Sequence, residues 1–140
     1  DYPAFHVMQR LLGGMTGTLF TTLRSERGLV YSTNQQSLVR EKAGLYGVSA
    51  EVDFDKLPQA IQGLQDAIAS VRTRPVEPSE LDKAKRNLML NLRVATQTGD
   101  GVASLGVQRL ARGLEPLPLA DLQARILAVT AEDVQRVADK

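Results

Sequence analysis

The sequence predicts an α+β domain whose helices pack on one face of an antiparallel-dominated sheet. Two adjacent segments, 29–39 ("LVYSTNQQSLV") and 43–54 ("AGLYGVSAEVDF"), are rich in β-formers, and the "REKAG" between them suits a tight antiparallel turn. Around them run segments with apolar residues at three- and four-residue spacing, the mark of amphipathic helices. These helices outnumber what two strands can cover, because a two-stranded ribbon is marginal by itself. Outer strands are therefore expected from outside this stretch or from a partner, and the chain reads as an excised piece of a longer polypeptide.

The elements follow in order. Asp1 is the expected cap of the first helix, Pro3 sits in its first turn, and Ala4, Val7, Met8, Leu11 and Leu12 share a face. Gly13 and Gly14 end it. A shorter helix over 16–27 groups Leu19, Phe20 and Leu23 and stops at Gly28. After the strands, 56–73 places Leu57, Ala60, Ile61, Leu64, Ala67, Ile68 and Val71 on one face, expected to cover the sheet. The next helix is expected to start at Ser79, with Asp82 three residues on, and to continue through Leu81, Ala84, Leu88 and Leu92. After "TGDG" a helix reaches about Arg112. Gly113 and a Pro-marked loop follow, then a helix over 119–129, and a last one with Thr130 as cap and Asp133 at its third position.

At 140 residues the chain suits one unit, 1–140, with one core. Its 17 Lys and Arg against 16 Asp and Glu exert no broad pull on nucleic acid or an anionic membrane, so partners must be read by local features. The absence of cysteine excludes a disulfide framework and thiolate zinc sites. No apolar stretch approaches the ~20 residues of a membrane span. A soluble segment, cytoplasmic or periplasmic, is expected.

Few residues look chemical. His6 is the only histidine, has no companion at metal-ligand spacing, and reads as a structural residue. The carboxylates of "EVD" with Asp55, and of "AED" near the end, read as strand-end and cap charges. "LGGMTG" follows no strand and lacks the Lys-Ser/Thr of a phosphate loop, so it reads as a helix–helix corner, with Gly13 and Gly14 as candidate substrate-lining positions. "LRSERGLVYS", Leu23 to Ser32, is different. It sets Arg24, Glu26 and Arg27 at a helix end and Tyr31 into the strand that follows, which by itself is compatible with a solvated helix terminus whose cations suit the dipole.

Three runs in order carry a resemblance: Leu12-Gly13-Gly14, the Leu-Arg-x-x-Arg-Gly-Leu-x-Tyr corner from Leu23 to Tyr31, and Val-Thr-x-Glu-Asp-Val from Val129 to Val134. With "GLYGVSAEV" and "PSELDKAKRNLMLNL" between them, the chain resembles, over essentially its whole length, the pitrilysin/insulinase family of zinc metallopeptidases, the inverzincins. Within it, the chain is similar to the domain of the mitochondrial-processing-peptidase-like branch that lacks His-x-x-Glu-His. The resemblance implies a LuxS/processing-peptidase-like fold and a place opposite a zinc-bearing domain, so that no metal is expected in this segment and zinc in the partner domain. It also implies that Arg24 and Tyr31, at the family spacing, contact substrate and the developing oxyanion, with Arg27 structural. The implied partners are a zinc-bearing domain of the same chain or a companion subunit, an extended peptide substrate, and a homo- or heterodimer mate. Nucleic acid and membrane are not among them. The physical rationale is that a phenolic O–H stabilises charge growing on a carbonyl oxygen, while a guanidinium fork holds backbone carbonyls in register. The alternative is a catalytically inactive scaffold or assembly subunit of the same fold.

Overall fold

A computed structural model describes residues 1–39 and 44–139. In order it contains α1 (Tyr2–Leu12), α2 (Thr18–Phe20) continuing as a π-helical segment (Thr21–Glu26), β1 (Ser32–Val39), β2 (Gly44–Glu51) and a 3₁₀ turn (Phe54–Lys56). Five helices follow: α3 (Leu57–Thr73), α4 (Pro78–Ala95), α5 (Gly99–Leu110), α6 (Leu119–Leu127) and α7 (Ala131–Ala138). Among the described residues the sheet is the antiparallel β1–β2 pair, in register from Ser32 opposite Glu51 to Val39 opposite Gly44. The turn expected at "REKAG" falls largely on 40–43, outside the described residues. The architecture is the expected α+β, helix-rich with an antiparallel pair.

The core forms around α1, which packs against α2, α3, α4, α6 and α7. Its Ala4, Val7, Met8 and Leu12 join Leu19, Leu23, Leu29, Val30 and residues of α3, α4, α6 and α7 in one buried cluster. Burying each large aliphatic side chain contributes about 1.5–3 kcal/mol. The sheet presents Tyr46, Val48, Ala50 and Val52 to this cluster. Successive strand residues alternate faces, so Leu38 and Leu45, opposite one another, point away and are 51% and 68% exposed. Among the described residues no helix is long and apolar enough to cross a membrane.

The structure revises four local expectations. The Asp1 side chain makes no capping bond; it pairs with Arg136 of α7 and so ties the two helices together. The α3 side chains do not share one buried face. Ala60, Gly63, Ala67 and Val71 are buried, while Leu57, Ile61 and Ile68 are exposed. The reason is close approach: a Cβ at Gly63 would lie 2.5 Å from Leu23 Cδ2, so only small residues fit beneath the π-helical segment. Helix α4 starts at Pro78, with Glu77 rather than Ser79 at the cap, because the fixed φ of proline is preorganised for a first helical turn. Helix α5 includes the glycines that read as a break. The Thr98 hydroxyl accepts from Gly101 N at 3.2 Å, and a Cβ at Gly101 would sit 1.7 Å from Ala95 O. The last cap is as expected: Thr130 Oγ1 accepts from Asp133 N at 3.2 Å and Asp133 Oδ2 accepts from Thr130 N at 3.0 Å, a reciprocal capping box.

Candidate functional site

The corner from Leu23 to Ser32 is built on buried anchors. Leu19 and Leu23 are fully buried, and Gly28, at φ +59°, reverses the chain in the left-handed region that glycine tolerates. Its N–H donates to Arg24 O at 3.1 Å, and the next N–H, of Leu29, donates to Leu23 O at 2.8 Å, so the carbonyls of the helix end are satisfied. Leu29 and Val30 then enter the core and Tyr31 emerges, 58% exposed.

Arg24 and Tyr31 meet at this corner. The Arg24 guanidinium donates from Nη1 to the Tyr31 carbonyl oxygen and lies 5.7 Å from the centre of the Phe20 ring. The Tyr31 N–H donates to Glu51 O at 2.8 Å, extending the ladder one residue before β1. Its hydroxyl donates to Asp53, 3.0 Å from Oδ1 and 2.9 Å from Oδ2. Lys56 Nζ lies 3.6 Å from Asp53 Oδ2 and donates to Gly28 O at 3.3 Å. The hydrogen bond from the phenol to the Asp53 carboxylate, followed by the negative charge of Asp53, raises the Tyr31 pKa. A phenol is a protonated donor at neutral pH in any case, and this shift moves its ionisation further from neutrality.

Asp53 and Lys56 are the members of this cluster that the sequence reading missed. Asp53 belongs to the "EVD" run taken as strand-end charge. Pairing of β1 with β2 is what carries it to Tyr31, 22 residues away in the chain. Arg27 stands apart, with its Nη1 3.1 Å from where a Cβ on Gly63 would be, so it lies along α3.

The glycine pair occupies a second place. Gly13 is buried against β1, and a Cβ there would lie 1.9 Å from the nearest atom of the Gln35 side-chain amide. In the orientation its neighbours require, the Gln35 amide donates to Gln9 O at 3.0 Å and Tyr46 Oη at 3.1 Å and accepts from Gly13 N at 2.6 Å. Gly14 is exposed at φ +76°. Both glycines line a cleft of about 340 Å³ between α1, β1 and α4. Burial pushes the nearby Tyr46 phenol up to about 12.

His6 is half-buried and packs edge-on against Tyr2, with ring centres 4.3 Å apart. Burial first, and the Arg112 charge second, hold its pKa down to about 4. Because the folded value lies below the ordinary 6.5, the unfolded chain binds the extra proton between those limits, and stability falls as pH drops from about 6.5 to 4. His6→Phe is expected to flatten the pH dependence of the melting temperature in that window. Unchanged acid sensitivity would assign the slope to other groups.

No three of His, Cys, Asp and Glu among the described residues are placed to hold a metal ion. With one packed, neutral imidazole and no thiolate, the residues here do not fit the three-ligand site of a catalytic zinc.

The described residues form an antiparallel pair covered by helices, an α+β domain with no metal-binding cluster among them. The chain belongs to the family of the peptidase M16 inactive domain, whose model matches residues 1–88. It is 29% identical over 127 residues to an uncharacterized zinc protease of Streptomyces coelicolor, covering 90% of this chain and 28% of that protein. It is 26% identical over 129 residues to one of Rickettsia felis, covering 91% and 31%. Two solved structures share the fold. A conserved protein from Enterococcus faecalis aligns with a TM-score of 0.84 at 22% identity, over 99% of this chain and 32% of that one. The peptidase M16 inactive domain from Pseudomonas fluorescens aligns with a TM-score of 0.85 at 23% identity, over 98% and 33%. The chain thus spans less than a third of the length of these two curated relatives.

Proposed function

We propose that this domain is the substrate-binding and transition-state-stabilising half of a zinc-dependent metalloendopeptidase, closing a peptide chamber opposite the zinc-bearing domain. The observation that carries this reading is the joining of Arg24 and Tyr31 at one exposed corner, with the Tyr31 O–H directed at Asp53. The family and the names of the relatives support it. Zinc, bound on the other domain or a companion subunit, would supply the metal chemistry.

The residues of this chain act as donors. A peptide carbonyl oxygen gaining negative charge competes with Asp53 for the Tyr31 O–H. Asp53 can release the phenol because Lys56 remains beside it as a counter-charge. One guanidinium nitrogen of Arg24 holds the Tyr31 carbonyl and so stiffens the corner. Arg24 is exposed, and the remaining N–H groups of its fork can donate to the carbonyls of an extended peptide. Gly13 and Gly14 line the neighbouring cleft as a second contact for the peptide backbone.

A second reading has its own observation. The Tyr31 hydroxyl is engaged by Asp53 and Arg24 by the Tyr31 carbonyl, so the corner is internally satisfied, as a scaffold subunit would need. Mutation separates the two. In the full-length protein with its zinc domain, Arg24→Ala is expected to raise KM and lower kcat, together about 10–100-fold in kcat/KM, the loss of a hydrogen bond to a charged group. Arg27→Ala is expected to lower stability and leave kcat in place. Steady-state kinetics beside thermal melting provide the check, and equal kinetic effects of the two variants would favour the scaffold.

A further inference from the structure

A cleft of about 130 Å³ between α1, α2, α3 and α4 is lined by Arg10, Thr16, Arg74, Glu80, Lys83 and Asn87, among others, and shares no residue with the Arg24–Tyr31 corner. Three cations thus face one carboxylate. Arg74 Nη2 donates to that carboxylate, 3.1 Å from Glu80 Oε1 and 2.9 Å from Oε2. Among the described residues, the side chains of Arg10, Thr16, Lys83 and Asn87 have no hydrogen-bond or ion-pair partner. Arg10 is half-buried at the end of α1, and the buried Val71 and Ala84 form an apolar wall that limits screening by water. Beyond the Arg74–Glu80 pair, an adjoining cleft carries Glu26 and Asp66, so the uncompensated positive charge lies on the Arg10 and Lys83 side.

We propose that this cleft binds a small oxyanion of phosphate or sulfate size. At about 130 Å³ the cleft has room for a small hydrated anion and falls well short of the ~300 Å³ from which drug-sized ligand sites begin. The donors match such a ligand. Arg10 offers a fork for two oxygens, Lys83 a mobile point charge, and Asn87 and Thr16 neutral donors, so the oxygens can be met from α1, from α4 and from the turn between α1 and α2. Binding would also relieve the mutual repulsion of the three cations.

Titration of the full-length protein with inorganic phosphate, at ionic strength held constant with chloride, tests this by calorimetry. Saturable binding with a Kd of about 1 mM or tighter is expected for the wild type. Arg10→Gln with Lys83→Gln is expected to weaken it at least ~10-fold, as loss of two charged hydrogen-bond donors requires. Arg86→Gln with Arg125→Gln, which removes two exposed cations from outside the cleft, should leave it unchanged. Lys83 is exposed, so Lys83→Gln alone keeps the test available if the double variant melts early, with a smaller loss of affinity. Absence of saturable binding in the wild type, or equal weakening by the control pair, would overturn the proposal.

Discussion

Tyr31→Phe in the full-length protein is expected to lower kcat by ~10²–10³ while leaving fold and zinc content unchanged, the usual cost of removing one donor to a developing oxyanion. The substitution deletes only a hydroxyl on a side chain that is 58% exposed, so packing has little to lose. What disappears is the O–H now directed at Asp53. KM should move less than kcat, because the charge that the phenol meets exists chiefly in the transition state. Asp53→Asn supplies an independent reading of the same group. With the carboxylate gone, the main cause of the raised Tyr31 pKa is gone, so the phenol should ionise at lower pH than in the wild type. The tyrosinate absorbance that Tyr31→Phe removes identifies its contribution among those of the other tyrosines. Full kcat in Tyr31→Phe with zinc bound would leave the scaffold as the better account of this domain.

Leu23→Ala is expected to destabilise the domain by about 2–5 kcal/mol, the range for truncating a buried leucine whose surroundings relax only partly. Leu23 is fully buried, reaches α3 at Gly63 and lends its carbonyl to the Leu29 N–H. The loss is therefore one of packing under the very residues that turn the chain toward Tyr31. Denaturant unfolding measures it, and a change below ~1 kcal/mol would mean that the corner is held from elsewhere. Natural stabilities are only about 5–15 kcal/mol, so this variant should also lower the folded fraction at physiological temperature and reduce activity without touching the chemistry.

The two variants fail differently because of how the corner is made. Arg24 and Tyr31 were legible as a pair from the run Leu23 to Tyr31, and the structure brings them into contact. Asp53 and Lys56 were not, since nothing local links position 53 to position 31 until β1 and β2 pair. Gly13 similarly read as a helix stop and a candidate lining residue, yet its second reason, room for the Gln35 amide, exists only when β1 lies across α1.

The order of the main helices and strands, the α+β class, the capping box at Thr130 and Asp133 and the family were legible from the residues, because capping, periodicity and motif order are local properties of the chain, whereas the π-helical form of Thr21–Glu26 and the 3₁₀ turn at Phe54–Lys56 were not. Tertiary structure decided which apolar residues of α3 are buried. Its sequence pattern offered Ile61 and Ile68 as readily as Ala60 and Ala67, but the π-helical segment comes so close at Gly63 that the small side chains take the core and the large ones stay outside. It also decided the charge around Tyr31. Whether a phenol meets a carboxylate depends on strand register, and only the folded pairing puts Asp53 where the Tyr31 hydroxyl can donate to it.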